Sequence, residues 1–254
     1  EYVNGVSAGS MNGMNYISRQ RGRSKRINLK YLHDERYISY KNMFKSRQIF
    51  NFDFLFDDIS NKYDIFDWES FNDKAKKYEV VATDVITGES RFFDKNNCSD
   101  IISAVKASAS MPVMLKMIDV EGRKYLDGGI STSIAYKRAF DVGYSKAIVV
   151  LTREEGYRKK PVNKINESIY KRYFKPLPNL VEKLMTVPER YNRMQEEMEE
   201  LAKEGKLLII RPQNKVTVQR LEHNSVKLEK LYNEGYEEGL KNIENIKNFI
   251  TLKF

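Results

Sequence analysis

Short apolar strands alternate with helical segments over about the first 157 residues, and this alternation limits the possible folds more than any other feature. Apolar and β-branched runs predict strands at 78–85, at 90–93, on either side of a turn at Glu121-Gly122, and at 146–152. Helical spacing predicts helices at 8–19, from Ser99 or Asp100 to about Met111, and at 135–143, with Gly143 at the end. Such alternation is typical of layered α/β domains. We therefore expect an α/β fold for this part of the chain.

The composition changes after residue 157, where long charged helices are predicted. Thr186-Val187-Pro188-Glu189 has the pattern of a capping box and predicts the start of a helix that ends at Gly205. Residues 206–212 then predict one more strand of the same sheet, and a single amphipathic helix is expected from about Asn224 to near the end. No linker separates these segments from the rest. We divide the chain into a main domain, 1–157, and a C-terminal extension, 158–254, packed on the same domain.

Several functional classes are excluded by the composition. No apolar run approaches the roughly 18 residues that a membrane-spanning helix needs. A single cysteine, Cys98, excludes an internal disulfide and favours a reducing, cytoplasmic compartment, with the thiol acting as a small buried hydrophobe. With two histidines and no ligand spacing, we expect no metal site and no other cofactor.

Basic residues give the chain a net charge of +9 and concentrate in two runs, 19–30 and 153–175. Such runs are typical of solvated helix surfaces, and also of proteins that touch an anionic membrane transiently. Because no nucleic-acid-binding motif accompanies the charge, we expect no nucleic-acid partner. Two interpretations of the basic runs stay open, a solvated helix surface and transient contact with an anionic membrane.

A candidate nucleophile lies close to the start of the sequence. Gly5-Val6-Ser7-Ala8-Gly9 matches the G-x-S-x-G pattern, in which a serine occupies a strained turn between a strand and a helix. The glycines would allow the strand and helix to approach closely, and the Ala8 N–H at the helix N-terminus would stabilise an oxyanion. The sequence therefore predicts Ser7 as a nucleophile.

A serine hydroxyl needs a base, and the sequence offers two kinds. Asp127 follows a predicted strand and precedes Gly128 and Gly129, which is the position at a strand's carboxyl end where α/β sheets place their sites. Alternatively, Ser7, Asp127 and His223 follow the chain order of an α/β-hydrolase triad. His223, like His33, lies in a charged stretch that is typical of a protein surface.

The motifs "GVSAGS", "KASASMP" (106–112) and "YLDGG", followed by "KRAFDVGYSKAIVVLTR", together resemble the patatin-like phospholipases, and more narrowly a bacterial branch with a helical C-terminal extension. The resemblance covers nearly the whole chain. It implies a three-layer α/β/α sandwich and a Ser-Asp dyad without histidine, with the nucleophile at Ser7 and the base at Asp127.

Two departures from the family pattern bear on this resemblance. The family has a glycine-rich oxyanion loop upstream of the elbow, whereas this sequence begins only a few residues before Ser7. We therefore expect the natural gene product to extend upstream by a few tens of residues. Relatives also commonly carry proline where this chain has Ala135, a change expected to affect loop rigidity more than chemistry.

These features together predict a serine lipase or esterase that cleaves fatty-acyl esters of lipids through an acyl-enzyme. Two alternatives stay open: a hydrolase that depends on His223, and a non-catalytic module whose C-terminal helices bind a partner. The apolar residues between Met111 and Met117 are expected either to line an acyl-chain groove or to form the core of the hairpin.

Overall fold

The computed structural model describes residues 1–39, 49–219 and 221–251. The described residues contain seven strands: β1 (Tyr2–Val6), β2 (Lys77–Asp84), β3 (Ser90–Asp94), β4 (Ile118–Val120), β5 (Arg123–Asp127), β6 (Ala147–Val150) and β7 (Leu207–Ile210). Their α-helices are α1 (Ala8–Ile17), α2 (Arg23–Lys30), α3 (Trp68–Asn72), α4 (Ile101–Ser108), α5 (Tyr136–Asp141), α6 (Lys164–Tyr173), α7 (Pro178–Lys203), α8 (Ser225–Lys241) and α9 (Ile243–Thr251). A π-helix, Phe54–Tyr63, and a 3₁₀ turn, Gly128–Ile130, complete them.

The chain divides into two compact units whose bounds differ from the predicted domains. The first contains Glu1–Ala135 and Lys160–Glu189, and the second contains Tyr136–Lys159 and the residues from Arg190 onward. The division at 157 stays a prediction about domains.

A mixed sheet of five strands forms the centre of the first unit. β1 pairs with β2 in parallel, and β5 pairs with β2 antiparallel, while β4 continues from β5. β3 pairs with β2 residues 79–83, a range that overlaps the β2 residues paired with β1 and those paired with β5. Because one edge of a strand cannot pair with two strands at the same residues, β3 occupies one edge of β2, and β1 and β5 share the other. Val6 is opposite Val81, and Asp127 is opposite Ala82. The carboxyl ends of β1 and β5 therefore meet along one edge of β2.

Helices cover both faces of this sheet. One face packs against α1 and α4 in a large core whose buried sheet residues are Tyr78, Val80, Ala82, Phe93, Val120 and Tyr125. The other face packs Val85, Leu126 and Ile130 against Phe174, Leu180 and Leu184 in a second core. The expectation of an α/β fold with helices on both sides of the sheet and a helical C-terminal region is confirmed.

Local signals located several element ends correctly. The side chain of Asp100 accepts a hydrogen bond from the Ser103 N–H and caps α4. The predicted turn at Glu121-Gly122 joins β4 to β5, with both residues at positive φ. Asn224 caps α8 by accepting from the Lys227 N–H.

The sequence predicted no element between α1 and β2, yet the described residues of this segment form α2, the π-helix and α3. Apolar side chains of this segment form a separate small core, in which Ile27, Tyr31 and Tyr37 pack against Phe54 and Ile59. Residues 40–48 of this segment lie outside the described residues.

The predicted capping box at Thr186–Glu189 is wrong. Helix α7 begins at Pro178, a favoured residue for the first turn, and continues through Pro188. Leu180 and Leu184 are buried in the second core, so packing holds the first turns of the helix in place. The Thr186 hydroxyl donates backwards to the Glu182 carbonyl, 3.0 Å away, and does not cap a helix start.

The predictions for the last strands and helices also need correction. β7 pairs in parallel with β6 in a separate two-stranded sheet and does not join the larger one. Ile148 and Val150 of β6 are exposed, and β7 is the one strand paired with β6 among the described residues. The single predicted C-terminal helix is in fact two, because α8 ends at Lys241 with Asn242 as its C-cap and α9 begins at Ile243.

Candidate active site

The Ser7 hydroxyl and the Asp127 carboxylate meet where β1 and β5 end. Ser7 follows the last residue of β1, and Asp127 is the last residue of β5. Ser7 Oγ donates a hydrogen bond to Asp127 Oδ2 over 2.6 Å, although 120 residues separate them in sequence. This length is typical of a hydroxyl bonded to an ionised carboxylate. The predicted pair is therefore in direct contact, and its catalytic role stays a prediction.

Ser7 occupies the strained turn that the G-x-S-x-G pattern predicts. Its φ is 55° and its ψ is −124°, a backbone conformation that residues other than glycine rarely adopt. A Cβ at Gly5 would lie 2.5 Å from both the Gly9 carbonyl oxygen and the Ser10 Cα. The close approach of β1 and α1 therefore requires glycine at position 5.

Gly9 does not have the role that the pattern suggested for it. A Cβ at this position would meet no heavy atom within 4 Å. The expectation that both glycines serve the close approach of strand and helix is thus wrong for Gly9. Gly9 instead lies with Ala8 in the exposed first turn of α1, where backbone N–H groups have no acceptor within the helix.

The Asp127 carboxylate is held on both of its oxygens. Oδ1 accepts a hydrogen bond of 2.7 Å from the Gly129 N–H, and Oδ2 accepts the Ser7 hydroxyl. The residue is only 8% exposed. A Cβ at Gly128 would collide with the Val81 carbonyl, so this turn can leave β5 only at a glycine. The carboxylate therefore has a fixed orientation in a largely dry position.

Hydrogen bonds between hydroxyl groups and the backbone hold the turn that follows Asp127. Thr83 Oγ1 donates to the Asp127 carbonyl oxygen over 2.8 Å and accepts from the Ser131 N–H over 3.1 Å. Ser90 Oγ lies 2.8 Å from Ser131 Oγ and 2.7 Å from Thr132 Oγ1. This network ties the residues after Asp127 to β2 and β3.

Sequence reasoning missed the residues that hold the backbone of Ser7. The Ser7 N–H donates to the hydroxyl of Ser108, a fully buried residue at the end of α4, over 2.9 Å. Ser10 Oγ donates to the Ser7 carbonyl over 2.6 Å. Burial raises the pKa of Tyr78, so its hydroxyl stays protonated and donates to the Ser10 carbonyl. The only signal for these contacts in the sequence was the segment "KASAS", which is rich in small and hydroxyl-bearing residues.

The Ser7 hydroxyl donates its hydrogen bond to Asp127, and not to a histidine. His33 is exposed beyond the end of α2, and His223 is exposed in the second compact unit. A serine hydroxyl carries one proton, and that of Ser7 is donated to Asp127. This geometry favours a carboxylate over an imidazole as the base.

Part of the first basic run serves the structure and is not free for a partner. Arg23 is buried and donates to the Ser60 hydroxyl over 3.0 Å and to the Asp64 carbonyl over 2.9 Å. Arg26 forms two hydrogen bonds with the Asp64 carboxylate, of 2.8 and 3.1 Å. The Arg26 bonds lead the causes that hold the pKa of Asp64 below its ordinary value, and the charge of Arg23 adds to them.

Other candidate sites gain little support. Cys98 is half-buried against the first core, and burial raises the pKa of its thiol. Among the described residues no group of three or more His, Cys, Asp or Glu side chains could hold a metal ion. Nor does any described helix have the length and apolar character needed to cross a membrane.

Between Met111 and Met117, Met111 and Leu115 are buried in the first core while Met117 packs against the second. The strand that precedes the Glu121-Gly122 turn, β4, comprises three residues, Ile118–Val120.

Comparison with known protein families matches residues 1–139, more than half of the 254-residue chain, to the patatin-like phospholipases. The chain belongs to the patatin-like phospholipase family. Residues 177–251 match a domain of unknown function, DUF6363. The comparison with curated proteins gives no match. Family membership indicates a lipid acyl hydrolase, and the matched residues include both Ser7 and Asp127.

Proposed function

We propose that this patatin-like chain hydrolyses fatty-acyl esters of lipids with Ser7 as nucleophile and Asp127 as general base. As Ser7 Oγ attacks the ester carbonyl, its proton moves to Asp127 Oδ2 and a tetrahedral oxyanion forms. The intermediate then expels the alcohol, which takes the proton back from Asp127 and leaves an acyl group on Ser7. Asp127 next accepts a proton from water, whose oxygen attacks the acyl carbon, and the fatty acid leaves as Ser7 is reprotonated.

One observation carries this proposal, the 2.6 Å hydrogen bond between Ser7 Oγ and Asp127 Oδ2. The bond points the hydroxyl proton at the carboxylate before substrate binds, so proton transfer needs no rearrangement of either side chain. The strained conformation of Ser7 and its position before the first turn of α1 support the same role. The Ala8 and Gly9 N–H groups there would donate to the oxyanion, with the helix dipole in the favourable direction.

The test is hydrolysis of a short-chain nitrophenyl ester by the full-length protein and its variants Ser7→Ala, Asp127→Asn and His223→Ala. The first two variants should lose at least about 10³-fold in kcat, because each removes a group that takes part in bond formation. His223→Ala should match the unmodified protein. Loss of activity in His223→Ala with retention in Asp127→Asn would refute the dyad. An inactive protein in every form would favour the non-catalytic interaction module.

A covalent label separates the nucleophile from the base. A fluorophosphonate should modify Ser7, and mass spectrometry of the labelled peptide locates the site. Asp127→Asn should slow labelling without moving it to another serine. Modification of a different serine would contradict the assignment of Ser7.

A further inference from the structure

The hydroxyl of Thr83 bonds to both ends of the turn that follows Asp127. Thr83 is the next-to-last residue of β2 and is fully buried. Its Oγ1 donates to the Asp127 carbonyl oxygen over 2.8 Å and accepts from the Ser131 N–H over 3.1 Å. The 3₁₀ turn between these two contacts, Gly128–Ile130, contains the Gly129 N–H that donates to Asp127 Oδ1. One hydroxyl therefore ties together the two ends of the turn that orients the carboxylate.

The number of protons available fixes the direction of the hydrogen bonds around Thr83. A hydroxyl has one proton, and that of Thr83 is donated to the Asp127 carbonyl, which can only accept. Thr83 Oγ1 and Ser131 Oγ lie 2.8 Å apart, so Ser131 is the donor in this contact. The Gly128 carbonyl is a second acceptor for Ser131, at the longer distance of 3.3 Å.

Two half-buried hydroxyl groups extend this arrangement into a chain. Ser90 Oγ in β3 donates to Ser131 Oγ over 2.8 Å. Because this uses the proton of Ser90, Thr132 is the donor in its 2.7 Å contact with Ser90. Four hydroxyl groups thus donate in one order, from Thr132 through Ser90, Ser131 and Thr83, and the last donates to the carbonyl of Asp127. Hydrogen bonds aligned in this way polarise and strengthen one another.

We propose that Thr83, at the end of this hydroxyl chain, is a positioning residue for Asp127. Its hydroxyl keeps the turn closed, and the closed turn keeps the Gly129 N–H on Asp127 Oδ1, which leaves Oδ2 facing the Ser7 hydroxyl. The terminal torsion of an aspartate has broad, roughly two-fold preferences, so the carboxylate would rotate if Oδ1 lost this partner. The catalytic consequence rests on the proposed function, in which Asp127 accepts the proton of Ser7.

The first experiment is steady-state hydrolysis of a short-chain nitrophenyl ester by the full-length protein and its variants Thr83→Val and Thr83→Ser. Valine has nearly the shape of threonine but no hydroxyl. In Thr83→Val kcat should fall about 10- to 100-fold with KM nearly unchanged, as for a displacement of about 1 Å at the reacting groups. Thr83→Ser retains the hydroxyl and should restore most of the lost activity. An unchanged kcat in Thr83→Val, or equal loss in both variants, would overturn the proposal.

The chain itself is tested with Ser90→Ala. This variant removes the donor to Ser131 but leaves Thr83 in place, and kcat should fall about two- to tenfold, the range for one neutral hydrogen bond. In the Thr83→Val background the same substitution should have no further effect, because the chain is already broken next to Asp127. Additive losses would refute the chain. If Thr83→Val does not fold, an unchanged kcat in Ser90→Ala alone refutes it.

Ser60→Ala is the matched control in the same unit. Ser60 is buried in the π-helix, donates to the Leu55 carbonyl over 2.9 Å and accepts from Arg23 over 3.0 Å. The control therefore loses a buried hydroxyl that both donates and accepts, as Thr83→Val does, but at a place outside the turn. Its kcat should match that of the unmodified protein. Circular dichroism and thermal unfolding check that each variant is folded, and an equal loss of kcat in Ser60→Ala would overturn the proposal.

A crystal structure of Thr83→Val separates this inference from the proposed function. The distance between Ser7 Oγ and Asp127 Oδ2 should increase from 2.6 Å to more than about 3.0 Å, the upper limit of an O–H···O hydrogen bond. An unchanged distance would overturn the proposal whatever the kinetics show. If the contact is lost in the crystal but the unmodified protein hydrolyses no ester, the proposed function fails and Thr83 remains the residue that positions Asp127.

Discussion

Replacement of Gly5 by alanine tests whether the nucleophile turn depends on a backbone contact. A Cβ at this position would lie 2.5 Å from the Gly9 carbonyl oxygen, 2.5 Å from the Ser10 Cα and 2.6 Å from the Ser10 N. All three atoms belong to the backbone of α1, so no side chain can rotate away. The first turn of α1 must therefore move away from β1, or the strand must distort.

The magnitude follows from these overlaps. Carbon and oxygen atoms in contact prefer about 3.5–4.0 Å, so each contact is about 1 Å too short. Overpacking of a tight interior costs about 1–3 kcal/mol, and we expect about 3 kcal/mol because the obstacle is backbone on every side. A shift of about 1 Å at Ser7 would also lower kcat about 10²-fold, since the Ser7–Asp127 bond would lengthen. Urea unfolding measures the first effect, and ester hydrolysis the second.

Gly9→Ala is the matched control within the same motif. Its Cβ would meet nothing within 4 Å, and helix α1 includes this residue. The variant should unfold at equal or higher urea concentration, because alanine favours a helix over glycine by up to about 1 kcal/mol. If Gly5→Ala were as stable as the unmodified protein, or if both variants lost equal stability, the contact between strand and helix would not be the reason for glycine.

Three further predictions concern other contacts of the first unit and of α7. Ser108→Ala leaves the Ser7 N–H without its acceptor, so kcat should fall about tenfold with KM nearly unchanged in steady-state kinetics, while stability falls by about 1–3 kcal/mol. The Arg26 hydrogen bonds lower the folded pKa of Asp64, so its stabilising contribution is complete above the unfolded pKa of about 3.9 and is lost as the pH falls through the folded pKa. Asp64→Asn should therefore destabilise the protein at neutral pH, and the difference in unfolding free energy should shrink at about pH 3; a constant difference would contradict this. Pro188→Ala should raise the unfolding free energy by about 1–2 kcal/mol, because alanine restores a helical N–H donor; unchanged or lower stability would refute it.

The candidate site was predictable because its signals are local. A serine between small residues at a strand-to-helix junction, and an aspartate between a strand and two glycines, each need only about five residues to be recognised. Both turns are present as expected at Ser7 and Asp127. Local signals cannot predict that the two turns meet at one edge of β2, because this meeting depends on the pairing of three strands, β1, β2 and β5. The resemblance to a family supplied this step.

The errors arose where tertiary packing overrides a local signal. A capping pattern at Thr186 predicted a helix start, yet burial of Leu180 and Leu184 extends the helix upstream of it. The run at 19–30 read as uniformly basic surface, yet Arg23 is buried against Asp64, a partner far along the sequence. Ser108 was overlooked for the same reason, because its contact with the elbow comes from the approach of α4 and cannot be read from its own neighbours.

The proposed dyad needs no third residue because its two turns meet directly. Serine and aspartate are both short, so a hydrogen bond of 2.6 Å between Ser7 and Asp127 requires their backbones to lie close together. Two glycines make this possible, Gly5 against the backbone of α1 and Gly128 against the Val81 carbonyl. In a hydrolase triad an imidazole spans the gap between the hydroxyl and the acid. Here the sheet removes that gap, so a histidine inserted between the two oxygens would have to break the hydrogen bond that orients the Ser7 hydroxyl.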